Sequence, residues 1–166
     1  METRKIDGRE IAGQIKEEWK KKIQDLGEIY GRGPALAVVL VGEDPASQIY
    51  VRNKKKACET VGMISKIFTF PETASQEEVL TLIERLNKDP EIDGILLQLP
   101  LPPRMDAQRM TRAIAPEKDV DGFHPINVGR MAIGLPCFIS ATPLGILTLL
   151  QHYHIETSGK KCVILG

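Results

Sequence analysis

The chain has 166 residues, and its 22 Lys and Arg are matched by 22 Asp and Glu, so the formal net charge is zero. This balance argues against a dedicated nucleic-acid-binding protein, which needs a basic surface to neutralise phosphates. No apolar run reaches the roughly 18–20 residues of a membrane-spanning helix, and residues 1–5 lack the apolar stretch of a signal peptide. With 42% hydrophobic residues, the chain is predicted to be a globular protein with its own core.

The cysteines indicate a reducing compartment. The chain has three of them, Cys58, Cys137 and Cys162, which is an odd number at long spacing and without a Cys-x-x-Cys pair. This pattern favours free thiols in a cytoplasm and gives no support for a zinc site.

The first predicted element is an amphipathic helix that begins after Asp7. Asp7 and Glu10 have the spacing of a capping box, and Gly27 is placed to end the helix in the left-handed conformation. Residues 35–41 then form a continuous apolar run, which predicts a strand buried on both faces, as in a parallel sheet. The apolar stripe of the helix consists of Ile11, Ile15, Trp19, Ile23 and Leu26.

Helices and strands continue to alternate. Asp44 and Pro45 predict the start of a second helix that Gly62 ends, and Ser75 with Glu78 predicts the start of another. The remaining predicted elements are strands at residues 64–70, 94–99 and 161–165 and helices at residues 105–115 and 142–153. Residues 100–104 and 116–141 are predicted to be irregular.

Strands separated by helices of this length indicate βαβ units. The predicted fold class is therefore α/β, with three layers and a mainly parallel, twisted sheet flanked by helices. Irregular segments that follow a strand end are where open α/β sheets place their ligands.

The first group of candidate functional residues lies near the start of the second helix. Tyr50 and Lys54 are four residues apart on one helical face, with Ser47 about one turn earlier. A phenol beside an amine could stack on a flat ligand and exchange a proton with it, and partial burial favours the neutral, basic form of a lysine. The alternative is an amphipathic helix whose lysines at positions 54–56 face solvent.

Two further segments carry polar residues after the third strand. Gln98 ends a buried apolar run, where an unpaired amide is unfavourable by about 1–3 kcal/mol, so it requires Lys54, a ligand or a loop backbone as its partner. Asp119 and Asp121 lie in a glycine-containing loop, and they could bind a cation or a polar heterocycle, or build a turn by bonding their own backbone. A metal site is not predicted, because these acids with His124 lack a recognised ligand spacing.

Three segments in this order resemble one family. They are Pro-Ala-Ser-Gln-Ile-Tyr-Val-Arg-Asn-Lys at residues 45–54, Asp-Gly-Ile-Leu-Leu-Gln-Leu-Pro-Leu-Pro at residues 93–102, and Pro-Glu-Lys-Asp-Val-Asp-Gly-Phe-His-Pro-Ile-Asn-Val-Gly at residues 116–129. The chain resembles the bifunctional methylenetetrahydrofolate dehydrogenase/cyclohydrolase family over essentially its whole length.

The resemblance implies a role for each candidate residue. Lys54 is the implied catalytic acid/base, Gln98 adjusts its protonation state, and Asp121 holds the pterin edge. Tyr50 stacks on the folate ring system, and Ser47 supports the lysine. The implied substrate-binding residues are Tyr50, Val51, Arg52, Asn53, Lys54, Leu97, Gln98, Leu99 and Asp121.

The resemblance also implies the reactions. A hydride passes from 5,10-methylenetetrahydrofolate to NADP, or to NAD, and the methenyl product is hydrolysed to 10-formyltetrahydrofolate, in one-carbon metabolism and purine biosynthesis. Ordinary lysines, with a pKa near 10.4, are poor bases at pH 7, so the hydrolysis requires surroundings that favour the neutral amine. A cytoplasmic homodimer is implied, without nucleic-acid, membrane or metal partners.

The last segment is expected to begin a second domain. Gly166 matches the first residue of the family's Gly-Arg-Ser phosphate turn and is the predicted cofactor-binding residue. The expected organisation is a folate-binding catalytic domain at 1–122, a connecting loop at 123–141, and a linker helix with the first strand of a Rossmann-like NAD(P)-binding domain at 142–166. We expect a piece of a longer enzyme that cannot hold the dinucleotide stably by itself. Ala141 replaces a cysteine common in the family, which excludes a catalytic thiol there.

Two alternatives are weighed against this interpretation. A short-chain dehydrogenase also uses Tyr-x-x-x-Lys, but it needs a glycine-rich turn after its first strand, where this chain has the acids Glu43 and Asp44. The other alternative is a non-catalytic folate-binding or scaffolding paralogue of the same fold. The presence of Lys54, Gln98 and Asp121 argues against it.

Overall fold

The computed structural model describes residues 5–163, which form three strands and six helices. The strands are β1 (Ala35–Val41), β2 (Ile64–Phe70) and β3 (Gly94–Leu97). The helices are α1 (Gly8–Tyr30), α2 (Pro45–Val61), α3 (Gln76–Lys88), α4 (Ala107–Ala113), α5 (Pro125–Ala132) and α6 (Ala141–His152).

The three strands form one parallel sheet in the order β2-β1-β3. Val39 at the centre of β1 lies opposite Phe68 of β2 and Leu97 of β3. Helices connect the strands, as parallel pairing requires. The predicted α/β fold with a parallel sheet is confirmed.

Helices cover both faces of the sheet. On one face Val51 of α2 packs with Val38 and Leu96. On the other face Ile83 of α3 and Met110 of α4 pack in a larger cluster around the sheet. Each sheet face is therefore buried, which explains why β1 is apolar throughout rather than alternating.

Local sequence signals place the helix starts correctly. The Asp44 carboxylate accepts a hydrogen bond of 2.7 Å from the Ser47 amide, and Pro45 occupies the first helical position of α2. Ser75 and Glu78 form the predicted reciprocal capping box of α3. Asp7 caps α1, but its own amide donates to the Tyr153 hydroxyl instead of to Glu10.

Several predicted boundaries are wrong. Helix α1 continues through Gly27 and ends at Gly31, which has the left-handed φ of 73°. Strand β3 ends at Leu97, two residues earlier than predicted, and α4 spans Ala107–Ala113 instead of residues 105–115. Of the predicted strand at 161–165, residues 161–163 carry no strand, and the rest lies outside the described residues.

The predicted irregular segment at 116–141 contains a helix. His124 caps α5 by accepting a hydrogen bond of 3.1 Å from the Ile126 amide through its Nδ1, and Pro125 takes the first helical position. The predicted connecting loop at 123–141 is therefore partly helical.

Candidate active site

The central feature of the site is a contact between α2 and the end of β3. The Lys54 amine donates a hydrogen bond of 3.1 Å from Nζ to Oε1 of Gln98. Lys54 is half-buried and Gln98 is buried. The two residues are 44 positions apart in the chain, so only the folded sheet brings them together.

Hydrogen bonds from its side chain and from its backbone hold Gln98 in place. Its Nε2 donates a hydrogen bond of 2.6 Å to the Leu99 carbonyl, while its backbone amide continues the sheet ladder to the Val39 carbonyl at 2.9 Å. Both partners considered from the sequence, the lysine and a loop backbone, are thus present. The amide oxygen is held towards Lys54, where it can orient the amine but cannot take its proton.

Asp121 is the third member of the group. Burial raises the pKa of its carboxyl group, and the nearby charge of Lys54 acts in the opposite direction, whereas Asp119 raises the pKa further. The amine, the amide and the acid therefore lie in one partly dry region at the carboxyl end of the sheet. This is where open parallel sheets bind ligands.

Two glycines allow close packing of the Asp121 loop, Gly94 where the loop meets the sheet and Gly122 where it meets the segment at 138–140. The Ile95 amide donates a hydrogen bond of 2.7 Å to the Lys118 carbonyl, which docks the loop beside β3. A Cβ on Gly94 would overlap Cγ1 of Val120. Gly122 has a left-handed φ of 67°, and a Cβ there would lie 2.6 Å from the Phe138 carbonyl oxygen.

The Asp119 carboxylate forms hydrogen bonds within its own loop, not with a ligand. Its Oδ2 accepts hydrogen bonds of 2.8 Å from the His124 amide and 2.9 Å from Nδ2 of Asn127. Asp119 and Asn127 are each 1% exposed. The sequence reasoning gave Asn127 no role, although a lone amide between Ile126 and Val128 carries the same signal that singled out Gln98.

The remaining predicted catalytic residues lie on α2. Tyr50 is 60% exposed, one turn before Lys54, and its ring is open to a ligand. Ser47 is buried, and its hydroxyl and amide hydrogen bonds to Asp44 lower the pKa of that carboxyl group. The structure thus places Ser47 in the cap of α2.

The other predicted substrate-binding residues differ in exposure. Val51 and Leu97 are core residues, so their side chains pack inside the protein. Asn53 is exposed. Arg52 lines a separate cleft between α2 and β2, and Leu99 borders an open cleft of about 370 Å³. Phe123 and Pro125 also line the cleft beside Leu99.

A family profile decides the classification. The profile described as "Tetrahydrofolate dehydrogenase/cyclohydrolase, catalytic domain" matches residues 6–121, which include the amine, the amide and the acid of the site. The chain belongs to this family.

Similar proteins agree with this membership. The "Bifunctional protein FolD" of Maridesulfovibrio salexigens is 56% identical over 97% of this chain and 56% of its own length. The FolD methylenetetrahydrofolate dehydrogenase/cyclohydrolase of Campylobacter jejuni superposes with a TM-score of 0.90 at 47% identity, over 93% of this chain and 55% of its own. The Trypanosoma brucei FolD complexed with NADP and inhibitor superposes with a TM-score of 0.91 at 34% identity, over 96% of this chain and 55% of its own.

This member of the family spans about half the length of the relatives that it matches. Its predicted cofactor-binding residue, Gly166, lies outside the described residues. Within residues 5–163, no group of three His, Cys, Asp or Glu side chains is placed to hold a metal ion. Across the same residues, no helix is both long enough and apolar enough to cross a membrane.

Proposed function

We propose that the chain supplies the folate site and the acid–base group of an enzyme that oxidises 5,10-methylenetetrahydrofolate and hydrolyses the methenyl product to 10-formyltetrahydrofolate. The observation that carries the proposal is the Lys54–Gln98 hydrogen bond of 3.1 Å beside the half-buried Asp121. It places one proton-transfer group in a partly dry site, oriented by a neutral amide.

The hydrolysis follows from what this amine can do. Neutral Lys54 takes a proton from water as the oxygen bonds to the methenyl carbon, which neutralises the iminium charge. The resulting ammonium returns the proton to the pterin-side nitrogen as its bond to that carbon breaks. The added hydroxyl then loses its proton to solvent and becomes the formyl oxygen. The sum is methenyl cation plus water giving formyl product plus one proton.

The other site residues have binding roles in this proposal. Asp121 accepts hydrogen bonds from the pterin edge, and the exposed Tyr50 ring stacks on the folate ring system. Gln98 holds the amine of Lys54 at the reacting carbon. Ser47 supports Lys54 indirectly, since its bonds to Asp44 fix the start of the helix that carries the lysine.

The oxidation requires a dinucleotide, and NADP would accept the hydride. No glycine-rich turn that leads from a strand into a helix occurs within residues 5–163, and the turn after β1 presents Glu43 and Asp44, which are wrong for a pyrophosphate. The described residues therefore do not fit the dinucleotide. Their contribution to the oxidation is to hold the folate.

We further propose the organisation of the enzyme. Residues 1–122 are the catalytic domain, residues 123–141 are a connecting loop, and residues 142–166 begin an NAD(P)-binding domain. The enzyme works as a cytoplasmic homodimer. Three free cysteines, Cys58, Cys137 and Cys162, support a reducing compartment.

Hydrolysis of 5,10-methenyltetrahydrofolate by this chain tests the proposal, because the reaction needs no dinucleotide. We expect Lys54→Ala to lower the hydrolysis rate by about 100-fold or more, since a positioned acid/base contributes roughly 10²–10⁴-fold. Lys56→Ala is the matched control, because Lys56 is an exposed lysine on the same helix. Equal rates in Lys54→Ala and the control would show that Lys54 is not the acid/base.

A further inference from the structure

The position of Asp121 depends on its backbone. Among residues 5–163 its carboxylate makes no hydrogen bond, and the influences on it are burial and the charges of Lys54 and Asp119. Its side chain is half-buried and directed by the loop that carries it. The interactions that hold this loop therefore determine the position of the Asp121 carboxylate.

The Asn127 side chain links two positions of this loop by hydrogen bonds. Asn127, in the first turn of α5, donates hydrogen bonds from Nδ2 to the Pro116 carbonyl at 2.8 Å and to Oδ2 of Asp119 at 2.9 Å. The same Asp119 oxygen accepts the His124 amide at 2.8 Å. These bonds join the two ends of the segment that has Asp121 at its centre.

The arrangement requires a carboxamide. Both acceptors, a backbone carbonyl and a carboxylate, need N–H donors, and the NH₂ group of asparagine supplies two. Aspartate has nearly the same shape but, when ionised, only accepts, and it would face the Asp119 carboxylate at close range. Asn127 and Asp119 are each 1% exposed, so a lost bond is not replaced by bulk water.

We infer that Asn127 is a positioning residue that holds Asp121 in place for the folate by tying Asp119 to Pro116. The inference rests on the proposed function, because it takes Asp121 to be a folate-binding group. Asn127 itself lies inside the protein and acts only through the loop. A displaced Asp121 would lose its hydrogen bonds to the folate, so we expect weaker binding.

The first test needs no folate. Hydrogen exchange of the amides at 120–124 is compared in the wild type, Asn127→Ala and Asn87→Ala. Asn87 is the matched control, because its side chain also makes two hydrogen bonds to backbone groups, to the Ala113 carbonyl at the end of α4 at 2.7 Å and from the Ala115 amide at 2.9 Å. We expect about 10-fold or faster exchange at 120–124 in Asn127→Ala and not in the control. Unchanged protection in Asn127→Ala would overturn the inference.

The second test is a double-mutant cycle on tetrahydrofolate binding, measured by isothermal titration. We expect Asn127→Ala to weaken binding by about 10-fold or more in the wild-type background and by less than about twofold in Asp121→Ala. A general loss of folding would weaken binding in both backgrounds, and equal losses in both would contradict the inference. If Asn127→Ala does not fold, Asn127→Ser keeps one donor, and the same comparison is made with it.

The two tests separate this inference from the proposed function. A wild type that does not bind tetrahydrofolate contradicts the proposed function, while the exchange experiment still decides whether Asn127 holds the loop. A wild type that binds, with faster exchange in Asn127→Ala but undiminished affinity, refutes the positioning role alone.

Discussion

The pKa values of two aspartates of this protein are shifted in opposite directions by their surroundings. Burial raises the pKa of Asp121 in the site, against the nearby charge of Lys54. At the other end of the sheet, the hydrogen bond from Arg32 lowers the pKa of Asp93, which lies 2.6 Å from the guanidinium. We propose that the first aspartate binds the folate, whereas the second forms an ion pair with Arg32 within the fold.

Asp121→Asn is predicted to stabilise the folded protein at neutral pH. The folded-state pKa of Asp121 is raised, so its contribution to stability is present at low pH and is lost as the pH rises through that pKa. The gain of the variant over the wild type should therefore grow as the pH rises. Urea denaturation at a series of pH values measures this difference.

Asp93→Asn is the control for that experiment, and its effect on stability should depend on pH in the opposite direction. The lowered pKa of Asp93 stabilises the fold above the usual aspartate pKa, and this contribution fades as the pH falls. The pair is partly exposed, so the effect is expected to be small. An Asp121→Asn variant that is less stable than the wild type at neutral pH would show that burial is not the dominant influence on this group.

At the scale of elements, close packing between β3 and the loop at 116–124 depends on Gly94. Gly94→Ala would drive a methyl group into Val120. We expect a loss of about 1–3 kcal/mol in the free energy of unfolding, as for other overpacked sites. Thermal or urea denaturation measures it.

Val120→Ala provides the test of that explanation. Removing the Cγ atoms of Val120 makes room for the new methyl group, so the double variant Gly94→Ala/Val120→Ala should recover part of the loss. Additive losses would mean that Gly94 matters for another reason, such as its backbone conformation.

Element types were predictable where local chemistry decides them. The continuous apolar run of β1, the Asp44–Pro45 start of α2 and the capping box at Ser75 are signals within a few residues, and each was placed correctly. Gly27 and Gly31 are equivalent as local signals, and only the left-handed φ at Gly31 separates them. Short helices such as α5 carry too few periodic positions to stand out from a loop.

The site was predictable in part. Tyr50 and Lys54 share a helical face that the sequence spacing specifies. The Gln98 contact and the internal use of Asp119 depend on tertiary packing, for which spacing carries no information. The family resemblance supplied the grouping that the residues alone left open.

At the scale of the whole molecule, burial separates the three cysteines. Burial raises the pKa of the Cys58 thiol, while Cys162 is exposed and Cys137 is half-buried. We expect an aromatic disulfide reagent to modify Cys162 and Cys137 in the native protein and Cys58 only after denaturant is added. Mass spectrometry of the modified peptides identifies each site, and fast native modification of Cys58 would contradict the burial described here.

The separation of 44 positions between Lys54 and Gln98 has a consequence for assembly. Residues 42–93 join β1 to β3, so this segment must bring the two strands together before they pair, and the entropy of closure is lost before the contact forms. A nascent chain therefore gains the amine–amide contact only after β3 has been synthesised. A short peptide that contains only one of the two residues lacks this contact, because the contact exists only in the completed fold.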